Sequence, residues 1–123
     1  MRQPLALAVP LLLACTMMPN SPQPVDTPVW VRSHNRSDVD VYLLCGEGDA
    51  TWLGRVTQQS GAVYAIPAAQ RRCPLGLNFF LVVLDQGRGY WSGPIRPQAE
   101  SRVELVIEKY AGLSTASLGS DSP

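Results

Sequence analysis

The sequence has few of the residues on which catalysis and metal binding usually depend. It contains one histidine, His34, and three cysteines, and it has neither a Gly-x-Ser-x-Gly motif nor a glycine-rich phosphate loop. His34 lies in the polar segment 33–38, where a strand end and a surface turn are expected. Cys45 and Cys73 do not have the spacing of zinc ligands. We therefore predict no catalytic residues, no metal site and no cofactor.

Charge is also scarce, and it is balanced. Charged residues make up 16% of the chain, with ten Lys and Arg against ten Asp and Glu. Proteins that bind nucleic acids usually concentrate positive charge in a patch or stripe. The sequence contains no basic stripe, so we expect no nucleic-acid partner.

Long apolar runs are missing as well. The longest lies at residues 5–14 and contains Pro10. A membrane-spanning helix needs about 20 apolar residues, so this run is too short to cross a bilayer. A short apolar run behind a positively charged start is typical of a signal peptide, and Arg2 supplies that charge.

The run ends in Leu12, Leu13, Ala14 and Cys15. This motif resembles the lipobox of bacterial lipoproteins. The resemblance implies that residues 1–14 are a signal peptide and that Cys15 is lipidated and becomes the new first residue. The mature protein would be exported and held to a membrane by the lipid on Cys15, and Thr16 would favour the outer membrane in a source that has one. The alternative is an ordinary secretory signal and a freely secreted protein.

Proline and small polar residues mark the two flanks of the domain. Residues 15–28 contain four prolines and no apolar period, which predicts a semi-extended linker. Residues 111–123 are rich in serine and glycine, which predicts a flexible tail.

Between these flanks, residues 29–110 show the alternation of a β protein. Apolar residues recur at every second position, and turn signals separate the runs every 8–12 residues. The predicted strands are 29–33, 39–45, 52–57, 62–66, 77–84, 90–92 and 103–108. Residues 77–84 are nearly all apolar, which predicts a central strand covered on both faces. About seven short strands predict an antiparallel β-sandwich.

Two short patterns carry a second resemblance. Val29 and Val31 are followed by Asn35, and Asp38 then leads into Val39, Val41 and Tyr42. The pattern resembles the small immunoglobulin- or transthyretin-like sandwiches of bacterial exported proteins, whose members are mostly structural or uncharacterised.

Two cysteines remain once Cys15 is assigned to the lipid. In an oxidising compartment Cys45 and Cys73 are expected to form a disulfide. A ring of roughly 30 residues contributes about 3–4 kcal/mol in the chain-entropy model. Two free buried thiols are the alternative.

Aromatic residues are the remaining lead to function. Trp30, Tyr42, Trp52 and Trp91 lie on predicted strands, several out of phase with their aliphatic neighbours, so they are expected to face outward as a possible binding patch. Cross-strand aromatic pairs that only brace a sheet are the alternative. We predict a non-enzymatic structural or protein-interaction module. A lipoprotein that binds a glycan or envelope component is the second hypothesis, and a small secreted hydrolase is the third.

Overall fold

Alternating apolar residues build eight β-strands within the part of the chain that the computed structural model describes, residues 25–46, 50–98 and 100–120. The all-β prediction is therefore confirmed. One short 3₁₀ helix, Ala68–Arg72, follows β4, and another, Ala111–Leu113, precedes β8. The strands are β1 Thr27–Ser33, β2 Val39–Cys45, β3 Ala50–Val56, β4 Gly61–Ile66, β5 Leu77–Val83, β6 Arg88–Ile95, β7 Ser101–Ile107 and β8 Thr115–Ser120.

The strands form two four-stranded sheets. Sheet 1 has the order β4-β1-β7-β8, and sheet 2 has the order β3-β2-β5-β6. Neighbouring strands are antiparallel, except that β1 and β7 are parallel, with Val29 opposite Val103. The two sheets pack on a shared core as a small β-sandwich, as the sequence predicted.

The core consists of the side chains that alternate inward from both sheets. Val39, Val41 and Leu43 on β2 form the inward set that the sequence predicted, and each is almost fully buried. Fully buried partners come from the strands around it: Val29, Val56, Ile66, Leu77, Phe79, Leu81, Val83, Val103, Leu105 and Ile107. Each sheet consequently has one apolar inner face and one outer face.

Strand β5 corrects one expectation. The sequence predicted that residues 77–84 would be covered on both faces. In the structure Phe79 and Leu81 are buried, whereas Asn78, Phe80 and Val82 are only half-buried. The outer face of sheet 2 is covered by no further layer among the described residues, so the apolar residues on this side of β5 lie at the surface.

The C-terminal segment is a second correction. Residues 111–123 were expected to be a flexible tail, but Thr115–Ser120 forms β8 and pairs with β7, with Leu118 opposite Val103. The backbone of β7 would otherwise expose an unpaired edge, and β8 pairs with it over six positions. The domain therefore extends beyond residue 110.

A disulfide joins Cys45, at the end of β2, to Cys73, in the loop before β5, as predicted. The two Cα atoms are 5.5 Å apart, a normal separation for a disulfide. The bond fixes the loop of residues 67–76 to the end of sheet 2.

The N-terminal predictions lie largely outside the described residues. These include the signal peptide at 1–14, Cys15 and most of the linker at 15–28. The end of that predicted linker belongs to the domain, because β1 begins at Thr27. No helix in the described ranges is long and apolar enough to cross a membrane.

Candidate functional site

Four aromatic side chains form a continuous row across the outer face of sheet 2. Trp52 on β3 lies opposite Tyr42 on β2, and Tyr42 lies opposite Phe80 on β5. Phe80 in turn lies opposite Trp91 on β6. The row, named here the aromatic row, thus has one aromatic residue on every strand of the sheet.

The aromatic row is open to solvent at both ends. Trp52 is 58% exposed and Trp91 is 60% exposed, whereas Tyr42 and Phe80 between them are half-buried. Adjacent strands lie about 4.8 Å apart, so the row spans about 14 Å across the strands. It forms a strip on a sheet face rather than a pocket.

An irregularity in β3 turns Trp52 outward. Val41 is opposite Gly54 and Tyr42 is opposite Trp52, so Leu53 is an extra residue on this side of the ladder. Gly54 is buried, and without the extra residue Trp52 would share its inward phase. The β-bulge therefore aims the Trp52 indole at the outer face.

Asp40 holds Trp52 in place. The Trp52 indole N–H donates to Asp40 Oδ1 over 3.4 Å. The Arg55 guanidinium donates to both carboxylate oxygens, with Nε 2.9 Å from Oδ1 and Nη2 3.2 Å from Oδ2. Asp40 is 8% exposed, so its carboxylate is fixed by the sheet, and its hydrogen bond to Trp52 is made through the edge of the indole ring.

This arrangement perturbs the carboxyl group. The hydrogen bonds from Arg55 lower the pKa of Asp40 below its ordinary value, and the Trp52 hydrogen bond adds to the effect, while burial opposes it. The ionised carboxylate is thus the form that the site stabilises. The same contact raises the pKa of Arg55.

At the other end of the row, Phe80 and Trp91 pack together. Their ring centroids are 4.8 Å apart with an angle of 54° between the planes, a tilted aromatic pair. The Phe80 ring lies over Gly89 on β6, where any Cβ would overlap it. Gly89 is therefore required for the position of Phe80 beside Trp91.

Trp30 corrects the predicted patch. It lies on β1 and therefore on the outer face of sheet 1, on the opposite side of the sandwich from Tyr42, Trp52 and Trp91. The Arg102 guanidinium lies 5.4 Å from its ring centroid and donates to Glu104 over 3.0 Å. Trp30 was expected to join one patch with the other three residues, but the β1–β7 pairing assigns it to the other sheet.

Phe80 is the row member that sequence reasoning missed. Phe80 lies in the apolar run 77–84. In this run the alternation of inward and outward positions is not visible in the sequence, because both sets of positions are apolar. The alternation within the run could have indicated an outward Phe80, because Phe80 is out of phase with the buried Phe79 and Leu81. Its place beside Tyr42 needed the strand register.

His34 lies apart from the aromatic row. It is exposed just after β1, and its backbone N–H donates to the carbonyl of Ile107. No hydrogen bond joins its imidazole to another side chain among the residues described. No group of three His, Cys, Asp or Glu residues that could hold a metal occurs in those residues either.

Comparisons with known proteins assign no family to this chain. No family model matches the chain, and no curated protein matches it. An NMR structure of a protein from Eubacterium rectale is similar, with 9% sequence identity, a TM-score of 0.47, and coverage of 79% of this chain and 91% of that chain. The site has to be interpreted from its own residues.

Proposed function

We propose that this protein is an exported, membrane-anchored and non-enzymatic binding module that uses the aromatic row as its binding face. The observation that carries the proposal is the unbroken register of Trp52, Tyr42, Phe80 and Trp91 across all four strands of sheet 2. Large aromatic side chains left at a surface in one contiguous strip are typical of interaction sites.

The anchor part of the proposal rests on the lipobox-like motif that ends in Cys15 and on the proline-rich segment behind it. A lipid on Cys15 and a semi-extended linker would hold the domain near a membrane while leaving its outer faces accessible. The sequence motif is the support for the membrane anchor.

The intact mass of the membrane-extracted protein tests the anchor, with Cys15→Ser as the control. We expect the mass of residues 15–123 plus acyl chains, less two hydrogens for the Cys45–Cys73 bond. An unlipidated product cleaved at another position would contradict the anchor and favour a freely secreted domain.

Sedimentation with isolated cell envelopes tests the binding face. The full chain carrying Cys15→Ser is used, so that retention does not report the lipid. We expect this chain to sediment with envelopes. Adding Trp52→Ala and Trp91→Ala together to it should abolish the sedimentation. Trp30→Ala, on sheet 1, is the matched control and should leave retention unchanged. Equal retention of all variants would refute the aromatic row as the binding face.

The opposing hypothesis is that the protein is a small secreted hydrolase. If an activity screen found hydrolysis that His34→Ala abolished, the non-enzymatic part of the proposal would be wrong.

A further inference from the structure

We infer that the aromatic row binds an uncharged carbohydrate chain laid across the four strands of sheet 2. This inference rests on the proposed function and names the ligand class of the same face. Four properties of the outer face carry it: its strip shape, its lack of net charge, the polar groups beside the row and its small area.

The shape favours a linear ligand. The row runs perpendicular to the strands for about 14 Å, with exposed indoles at both ends and half-buried rings between them. Trp52 is held by Asp40 and Trp91 by Phe80, so the two outer rings are positioned before a ligand arrives. Preorganised rings lose little conformational entropy on binding, and a chain lying along the row can stack on both.

The charge of the face disfavours acidic polymers as its ligands. Asp40 and Arg55 are the charged residues on the outward positions of the described part of sheet 2, and they form an ion pair with each other. Nucleic acids and acidic glycans would find no uncompensated positive charge here. The outer face of sheet 1 is different, because Arg32 lies near Trp30 there in addition to the Arg102–Glu104 ion pair.

Polar groups lie on both sides of the row. On one side the Arg55 side chain is 52% exposed and spends two of its N–H donors on Asp40, which leaves further donors free for a ligand. On the other side, Asn78 lies two residues from Phe80 on the same face of β5. A sugar ring has an apolar C–H face and hydroxyl groups around its edge, so aromatic rings flanked by hydrogen-bonding groups are complementary to it.

The area of the face disfavours a stable protein complex. Four strands about 4.8 Å apart and about seven residues long give a face of about 19 by 23 Å. That is a projected area of roughly 440 Å², which is small beside the about 800 Å² of accessible surface that each partner buries in a standard protein interface. A ligand that needs only the strip itself is therefore favoured over a second folded protein or a second copy of this chain.

The test is binding of the full chain, in a detergent without a sugar headgroup, to an array of uncharged and acidic oligosaccharides. Affinities for array ligands are then measured by isothermal titration calorimetry for short and long members of each series. We expect binding to uncharged chains, with longer chains bound more tightly than disaccharides, because only a longer chain reaches both Trp52 and Trp91.

Matched variants locate the site. Trp52→Ala and Trp91→Ala are each expected to weaken binding about tenfold, which corresponds to about 1.4 kcal/mol for each lost stacking contact. Both residues are more than half exposed, so both variants should fold, with a small fall in melting temperature from the lost Asp40 or Phe80 contact. Trp30→Ala should leave the affinity unchanged.

Several results would overturn the inference: no binding to the array, binding to acidic glycans alone, or equal binding by Trp52→Ala, Trp91→Ala and the parent chain. Failure here is distinguishable from failure of the proposed function. Envelope retention that depends on Trp52 and Trp91 without any glycan binding would keep the binding face and rule out the carbohydrate as its ligand. Loss of both dependences would refute both proposals.

Discussion

Asp40 connects the interior of sheet 2 with its outer surface. Its carboxylate is nearly buried, yet it accepts hydrogen bonds from two exposed side chains, Trp52 and Arg55. The ladder partner of Asp40 is Arg55 itself, so the ion pair follows directly from the β2–β3 register. A single acidic residue thus orients both an aromatic platform and a hydrogen-bond donor.

The lowered pKa of Asp40 makes part of the stability depend on pH. Because the pKa is lower in the folded than in the unfolded chain, the contribution is fully present above the unfolded value of about 3.9. It is lost as the pH falls through the lowered folded value. Urea unfolding between pH 2 and pH 7 should show Asp40→Asn less stable than the parent at neutral pH, with the gap closing in acid.

The loss in Asp40→Asn should be modest, because Arg55 is half-exposed and solvent screens the pair. Trp52 should become more accessible to acrylamide quenching in this variant. Asp85→Asn is the control, since Asp85 lies in the exposed turn before β6. If the difference in unfolding free energy between Asp40→Asn and the parent widened in acid, the lowered pKa of Asp40 would be contradicted.

Gly89→Val tests the other end of the row. Valine suits a strand, but its Cβ would overlap the Phe80 ring, so Phe80 must leave its place beside Trp91. We expect a loss of about 1–3 kcal/mol, as for other overpacking changes, and a changed near-ultraviolet circular dichroism signal. Gly119→Val on β8, where the nearest atoms are 3.6 Å or more from a Cβ, should cost less and leave that signal intact.

Residue-level inference from the sequence was strongest where one phase of a strand is polar. Tyr42 stood out because Val41 and Leu43 flank it, and its outward position is confirmed. Asn35 was interpreted as part of a polar turn, but it is almost fully buried and donates to the carbonyls of Glu108 and Lys109. Its partners are more than 70 residues away, so no local pattern indicates them.

At the scale of elements, β8 shows why composition misleads at a chain's flank. Thr115–Ser120 has few apolar residues, yet it caps the free edge of β7 through six paired positions. Every residue except proline has a backbone N–H and a backbone carbonyl, whatever its side chain. Backbone hydrogen bonds are therefore enough to hold such a strand.

A chain that ends at Ser114 tests the importance of β8. Its loss would unpair β7 and uncover Val103 and Leu105, and each lost backbone hydrogen bond costs about 1 kcal/mol. We expect a loss of several kcal/mol and concentration-dependent association, measured by urea unfolding and analytical ultracentrifugation. Removing only residues 121–123 leaves β8 whole and should change neither quantity. A monomeric, equally stable chain ending at Ser114 would show that β8 is dispensable.

Strand positions were predictable from the sequence, but strand neighbours were not. The period-2 runs located seven of the eight strands to within a few residues, because burial of one face imposes alternation. The aromatic row could not be assembled, since the bulge at Leu53 and the β2–β5 pairing decide which aromatic residues meet. The same limit placed Trp30 with the wrong partners.

At the scale of the whole molecule, the Cys45–Cys73 bond compensates for a small core. Reduction should lower the free energy of unfolding by about 3–4 kcal/mol in the chain-entropy model. For a domain of this size that corresponds to a melting temperature lower by about 10 °C or more. Calorimetry with and without reductant measures the change, and Cys45→Ala with Cys73→Ala should melt at the reduced temperature in both buffers. Two free thiols in the native protein would contradict the bond.

The parallel pairing of β1 with β7 has a mechanical consequence. Strand β1 lies between β4 and β7, so its backbone is bonded on both edges over nearly its full length. Consider a force applied between the N-terminal end of β1 and a ligand held on sheet 2, acting along β1. The hydrogen bonds of its two ladders run across the strand, so they lie across the direction of the force. The bonds would then be sheared together instead of opened one by one, so β1 is expected to resist traction applied at its N-terminal end.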